Sequence, residues 1–374
     1  MTTNIIIHPD AHTAVRADLL DVPRANELTV VRSIPKDLNT LTAKDLIGLT
    51  LSELEKMCAL IMDTVADRQA VRPSASEMPE RELVCPHCGS IHCVKNGSVR
   101  GKRRFVCRDC KKSFGTNHNS VLMFSNLSPK IWKAYVGCMV NGKTLEVSAQ
   151  IVGVCLKTSF YMRHKILDAL ACIERDTVGG IVEMDETFLH ESFKGNHKKS
   201  GFVMPRRAHK RGNAVSTRGL SKEQVSIGTA LDRSDNLIMN MAGFGRVSYA
   251  QLERIFDGHV RKGSTLWTDS LGGYKKLSKK LEARHEAIPS GEYTKGEVNL
   301  AHINALHSRF KKWLDRFHGV STKHLGNYLA WFLWLEGAKG LKESAKAGQM
   351  WQDVLNEMAD TKIETIRFRV PAFV

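Results

Sequence analysis

Four cysteines and two remote aspartates are the residues whose types and spacing could do chemistry. Cys85-Pro-His-Cys88 is followed, after 18 intervening residues, by Cys107-Arg-Asp-Cys110. A Cys-x-x-Cys knuckle turns two thiolates toward one point, and two knuckles complete the closed tetrahedral shell of a structural zinc site. No position is left for a substrate water. The other reading, four unrelated buried or redox cysteines, makes the spacing an accident. His87 and His92 are assigned to the surface of this ribbon, because four thiolates already satisfy the metal. Cys93, Cys138, Cys155 and Cys172 fit no such pattern.

The acids lie further on. Ile181, Val182 and Met184 form a β-type run ending in Asp185-Glu186, and Ser264-Thr-Leu-Trp-Thr ends in Asp269, 84 residues after Asp185. A strong helical pattern covers His302 to Phe317, with Ile303, Leu306, Phe310, Trp313, Leu314 and Phe317 on the apolar face. Asn304, His307 and Lys311 stand at i, i+3 and i+7, on one stripe. Two strand-borne carboxylates joined by such a stripe would hold hard divalent ions, Mg2+ or Mn2+, beside a phosphodiester, with two ions about 3.5 to 4 Å apart. Taken singly, each aspartate reads equally as a turn or strand-end residue.

The elements that must position these residues are legible in outline. An amphipathic helix is expected over Leu49 to Asp67, followed by a linker from Arg72 to Arg81. Pro129 to Val140, Thr144 to Val152 and Lys157 to Ala169 read as helices, with a turn at Gly153. Together they suggest a helix-turn-helix whose last helix projects Lys157, Thr158, Tyr161, Arg163 and His164 toward DNA, with Leu156, Phe160 and Ile166 or Leu167 on the core side. Plain three-helix packing gives the same pattern. Beyond Gly179, strands over Val225 to Leu231 and Leu237 to Ala242, a helix over Tyr249 to Val260, the strand ending in Asp269, a helix over Leu271 to Leu281 and a strand near Ala287 make an α/β alternation.

The charge points to a polyanionic partner. The 374 residues carry 55 Lys plus Arg against 39 Asp plus Glu, a net +16, and neutralising phosphates releases counterions. Lys95 to Lys112 holds eight Lys or Arg against Asp109, with Phe105 and Phe114 interleaved, and His190 to Arg218 holds eight against Glu191. Each run reads as a DNA-facing surface or as a solvated one. At 42% hydrophobic the chain can bury real cores, which argues against disorder. The start, MTTNIIIHPD, lacks the pattern of a secretory signal, and the apolar run Tyr328 to Leu335 is too short to span a bilayer. A cytoplasmic protein without membrane contact is expected.

Taken in order, CPHCGS, FVCRDCKKSF, VEMDETF, WTDSLGGYKKL, HINALHSRFKKWL and FHGVSTKHLGNYLAWFLW resemble the bacterial insertion-sequence transposases with an N-terminal zinc ribbon and an RNase H-like, DDE-type catalytic domain. The resemblance runs from about Cys85 to Leu335. It implies Asp185 as the first acid, on the first strand, and Asp269 as the second, at the end of the fourth. Most relatives place Glu third, with Lys seven residues on. Here that register falls on Asn304 and Lys311, as in a branch using Asp, Asp, Asn and Lys, and His307 fits a recurrent His. The implied ligands are Cys85, Cys88, Cys107 and Cys110 for structural Zn2+, and Asp185, Asp269 and Asn304 for catalytic Mg2+ or Mn2+, with Lys311 available to a DNA phosphate.

The Asn carries a cost: an amide oxygen ligates Mg2+ without charge, so one ion should bind more weakly than with Glu. Glu186 and Asp315 are the nearby carboxylates. However, Glu186 would point to the opposite strand face, and Asp315 lies eleven residues beyond Asn304.

The fold expected is an RNase H-like mixed sheet flanked by helices (177–340), preceded by an N-terminal helical segment and linker (1–80), a zinc ribbon (81–122) and a helix-turn-helix-like region (123–176), and followed by a C-terminal tail (341–374). The resemblance implies an enzyme that binds terminal inverted repeats, cuts DNA and joins it to a target, acting as a homo-oligomer near the nucleoid. A catalytically inactive, domesticated DNA-binding protein and a nuclease without strand transfer are the alternatives.

Overall fold

The computed structural model describes residues 83–99, 101–195, 203, 221, 223–289, 291–292, 294–371 and 373. All belong to one of the two units into which the chain divides, Met78–Val374. The helix expected over 49–67, its linker, and most of the basic stretch 190–218 lie outside the described residues.

The cysteine segment folds as a three-stranded antiparallel sheet of β1 (Cys93–Val99), β2 (Lys102–Cys107) and β3 (Ser113–Gly115). Its core is small: Cys85, Phe105, Cys107 and Phe114, with the two Phe rings stacked at 5.8 Å. The two Phe interleaved in the basic run are thus core residues of the ribbon, while Lys95, Arg103, Arg108, Lys111 and Lys112 are exposed.

Three helices follow, α1 (Pro129–Val140), α2 (Leu145–Val152) and α3 (Leu156–Cys172). Local signals set their bounds. Proline stands at the start of α1, the Thr144 side chain accepts from Val147 N to cap α2, and Gly153 ends α2 in the left-handed region at φ 69°. The orientation expected of α3 is overturned at three residues. Arg163 and His164 are 1% and 2% exposed, whereas Leu156 is 55% exposed. Arg163 donates to Lys143 O at 2.7 Å and lies 5.2 Å over the Trp331 ring, while His164 stacks on His324 at 4.1 Å. Both partners come from a helical hairpin some 160 residues later in the chain, so α3 is packed on more than one side and no single polar stripe survives. Lys157 remains exposed, and Thr158 and Tyr161 are half-buried along a cavity of about 500 Å³.

The second half forms a five-stranded sheet from β4 (Ile181–His190), β5 (Gln224–Asp232), β6 (Leu237–Phe244), β7 (Thr265–Thr268) and β8 (Arg284–Ala287), in the order β6-β5-β4-β7-β8. Pairs β4/β5 and β5/β6 are antiparallel, while β4/β7 and β7/β8 are parallel. Three antiparallel strands continued by two parallel crossovers are the RNase H-like arrangement. The crossover helices α4 (Tyr249–Phe256) and α5 (Gly272–Lys280) cover one face over Val182, Met184, Ala230, Leu252, Phe256 and Tyr274. A short hairpin, β9 (Thr294–Lys295) and β10 (Val298–Asn299), leads into α6 (Ala301–Asp315), which covers the other face together with α7 (Leu325–Gly337).

Three expected bounds change. β4 runs five residues past Asp185 instead of stopping at the acids, because β5 pairs it along its whole length to His190. α4 stops at Phe256, where Asp257 takes an extended backbone and Gly258 a φ of 77°. The stretch expected as a tail holds α8 (Glu343–Asn356) and α9 (Ile363–Arg367). Met350, Trp351, Val354 and Leu355 of α8 share one core with α1, α3, α7 and the α6 face of the sheet. That core continues across residues 176 and 177, so the helical region and the sheet are packed as one body. Among the described residues, no helix is long and apolar enough to cross a membrane.

Candidate active site and candidate metal centre

The two knuckles bring all four sulfurs together. Cys85 Sγ lies 3.5 Å from Cys110 Sγ, Cys88 Sγ lies 3.6 Å from Cys107 Sγ, and all four are within 4.8 Å of one another, with no disulfide formed. Ligands on a tetrahedron about 2.3 Å from a central ion are about 3.8 Å apart, so the cluster fits a metal. The backbone N–H of Cys110 leads the groups that bring the Cys107 thiol down to about 6. The Ser90 N–H lowers Cys88, but burial and hydrogen bonds from the other thiols push it up to about 12. Among the described residues this quartet is the group of His, Cys, Asp or Glu with such geometry.

The acids meet through strand register. In the parallel pairing, Ile181 lies opposite Thr265, Val182 opposite Leu266 and Glu183 opposite Trp267. Asp185 and Asp269 each follow that last pair by two residues, Asp269 just past the end of β7, and the two are near enough for the charge of Asp269 to act on Asp185. Neighbouring strands are about 4.8 Å apart, so the parallel β4/β7 pairing brings the ends that carry the two carboxylates side by side. Burial leads in raising Asp185 to about 6, and the Asp269 charge adds to it, while Lys311 opposes. Asp269 Oδ1 accepts from Leu271 N at 2.9 Å, which holds the turn into α5.

The helix α6 delivers the rest. His307 is buried, with Nε2 3.0 Å from Thr229 Oγ1 and Nδ1 3.7 Å from Asp185 Oδ2. Thr229 is the register partner of Asp185 on β5. Burial first, then Lys311, pushes His307 down to about 4, so at neutral pH the ring is uncharged and makes no ion pair with Asp185. Lys311 is exposed one turn on, close enough for its charge to act on both. Asn304 is exposed one turn before His307, and its side chain makes no hydrogen bond to either aspartate among the described residues. A 3.7 Å approach joins Asp185 to His307, and charge effects link Asp269 and Lys311 to Asp185, while the Asn304 side chain makes no hydrogen bond to either aspartate.

Glu186 points to the opposite face, where it accepts from the buried Tyr274 hydroxyl at 2.6 Å; burial raises it to about 7. Asp315 ends α6 in solvent. The residue missed in the sequence is Glu183. It is fully buried two residues before Asp185 and accepts from Ile303 N at 3.0 Å. Period-two alternation from Asp185 was the available signal.

Sheet order and paired acids define the class: a protein with an RNase H-like domain. More particularly, residues 177–336 match the family of the ISXO2-like transposase domain. A protein of Halobacterium salinarum, described as an uncharacterized protein in transposable element ISH50, is 24% identical over 275 residues, covering 72% of this chain and 90% of the relative. Among solved structures, a chain of the simian T-cell lymphotropic virus intasome in complex with PP2A regulatory subunit B56 gamma is 13% identical, covering 57% of this chain and 69% of its own, with a TM-score of 0.28. A chain of a pre-cleavage Mos1 transpososome is 12% identical, covering 64% and 82%, with a TM-score of 0.19.

Proposed function

We propose that the protein binds the terminal inverted repeats of its insertion sequence through the ribbon and helical region, cuts DNA there and joins the freed end to target DNA. One observation supports the catalytic part: the charges of Asp269, just past the end of β7, and of Lys311 on α6 both act on Asp185 of the neighbouring strand β4. That geometry is supported by the transposase domain matched over the same residues.

The donor set suits Mg2+ or Mn2+. Two carboxylates and the Asn304 amide oxygen are hard ligands, and Asp185 is part-buried beside a second negative charge. Such a pair of ions would supply Lewis acidity for in-line phosphoryl transfer. The chain's own part is orientation. The Asp269 turn and the β4/β7 register fix the spacing of the carboxylates, and Lys311, free in solvent one turn beyond His307, is available to a DNA phosphate. His307, neutral and hydrogen-bonded to Thr229, packs the helix onto the sheet instead of holding a metal. Cys85, Cys88, Cys107 and Cys110 would hold Zn2+, keeping the ribbon folded with its lysines and arginines outward. A homo-oligomer pairing two element ends, working at the nucleoid in the cytoplasm, completes the proposal.

An inactive DNA-binding protein is the rival, favoured by Asn304 standing where a third carboxylate would strengthen metal binding. Incubating the protein with end-containing DNA and Mg2+ separates the readings. Joined products support transposition, cuts without joining a nuclease, and binding without either the inactive protein.

A further inference from the structure

We infer that Glu183 is a positioning residue for the proposed metal centre, tying the amino end of α6, and with it Asn304, to the strand that carries Asp185. The inference rests on the assignment of Asp185, Asp269 and Asn304 as ligands.

Glu183 is 0% exposed, on the same face of β4 as Asp185. A carboxylate so buried is stable only when fully partnered. Its Oε2 accepts from Ile303 N at 3.0 Å, and its Oε1 contacts His302 Nδ1 at 2.8 Å and the Arg233 guanidinium. Arg233, from the turn between β5 and β6, lies 4.8 Å over the Trp267 ring. Trp267 is in turn the register partner of Glu183, on the strand that delivers Asp269. One carboxylate thus joins β4, β7 and α6 two residues short of the two aspartates.

The helix needs that partner. The first turn of α6 has no acidic residue and Leu300 offers no side-chain cap; Asn299 Oδ1 accepts from Ala301 N at 3.2 Å, which leaves Ile303 N–H to a partner outside the helix. Glu183 supplies the cap from another strand. Asn304 follows Ile303 directly, and its stripe neighbour His307 is held at Thr229. The helix is therefore pinned on both sides of Asn304, at 303 and at 307, to the two strands that pair through Asp185 and Thr229. Pinning places an uncharged ligand, which has little attraction of its own for a cation, where a charged one would find its place unaided.

The test is Mn2+ binding to the full-length protein by calorimetry at pH 7.5, with zinc content and circular dichroism as checks on folding. Glu183→Asp keeps the charge and shortens the arm, and it should weaken Mn2+ about tenfold, the scale on which partners of metal ligands act. Glu183→Gln keeps the arm and an oxygen for Ile303 N–H but sets its amide N–H2 toward Arg233, and it should weaken Mn2+ less than Glu183→Asp does. Asn304→Ala should weaken binding as much as Glu183→Asp, and the double variant no further. A purely electrostatic role gives the reverse order, with Gln weak and Asp normal, and would overturn the inference, as would normal binding by Glu183→Asp. Wild-type binding unchanged by Asp185→Ala and Asp269→Ala, or no wild-type binding, refutes the metal centre itself and the inference with it.

Discussion

Glu183 pairs with Trp267 on neighbouring parallel strands, and Asp185 and Asp269, 84 residues apart in the chain, each follow one of that pair by two residues. The spacing of the carboxylates is thus in part a property of the sheet, set by backbone hydrogen bonds. The turn after β7, where Asp269 Oδ1 accepts from Leu271 N, sets the rest.

Asp185 is lifted from 3.8 to about 6, by burial first and by the Asp269 charge. The folded, metal-free protein therefore holds this proton more tightly than the unfolded chain, and the stability it brings is present below about pH 4 and lost as pH rises to about 6. Asp185→Asn removes the cost of ionisation. Its melting temperature should exceed wild type by about 5 °C at pH 7.5 without divalent ions and equal it at pH 4. Added Mn2+ should raise the wild type alone. Equal melting at both pH values would mean that Asp185 is not under this strain.

The ribbon buries only Cys85, Phe105, Cys107 and Phe114, too little to fold without its metal. Chelation, or Cys107→Ser, should release one Zn2+ per chain, unfold residues 83 to 115 and weaken DNA binding at low salt. All six tryptophans lie beyond the ribbon, from Trp132 to Trp351. Intrinsic fluorescence should therefore stay native while far-ultraviolet dichroism changes. A fluorescence change in step with zinc loss would instead tie the ribbon to the main core.

Arg163 and Lys157 separate stability from DNA contact on α3. Arg163→Ala removes a buried guanidinium from the Lys143 carbonyl and the Trp331 face, and it should cost about 2 kcal/mol in urea unfolding. Lys157→Ala, at an exposed position, should leave unfolding unchanged while lowering DNA affinity and reducing its salt slope by about one. Loss of DNA affinity with unchanged stability in Arg163→Ala would return that residue to the DNA face.

These contrasts follow what was legible in the sequence. Ends of α1 and α2 could be read because Pro129, Thr144 and Gly153 act within one turn of themselves. The zinc-type knuckles were legible for the same reason, since each needs only four residues. The faces of α3 were not, because Trp331 and His324, which bury Arg163 and His164, arrive from the far end of the chain. β4 looked short because Glu183, Asp185 and Glu186 interrupt its apolar run, yet a strand paired on both sides tolerates acids that are partnered, as Glu183 is by Ile303 and Arg233. Asp185, Asp269, His307 and Lys311 were all named from the sequence. How the first two come near each other needed the register.

The account turns on the aspartates acting together on DNA. Its most direct test measures joining of end-containing DNA to a target plasmid in Mg2+ by Asp185→Asn and Asp269→Asn, each checked for native zinc content and DNA affinity. The expected result is wild-type binding of the ends with no joined product from either variant. Joining at the wild-type rate by either one would contradict the account.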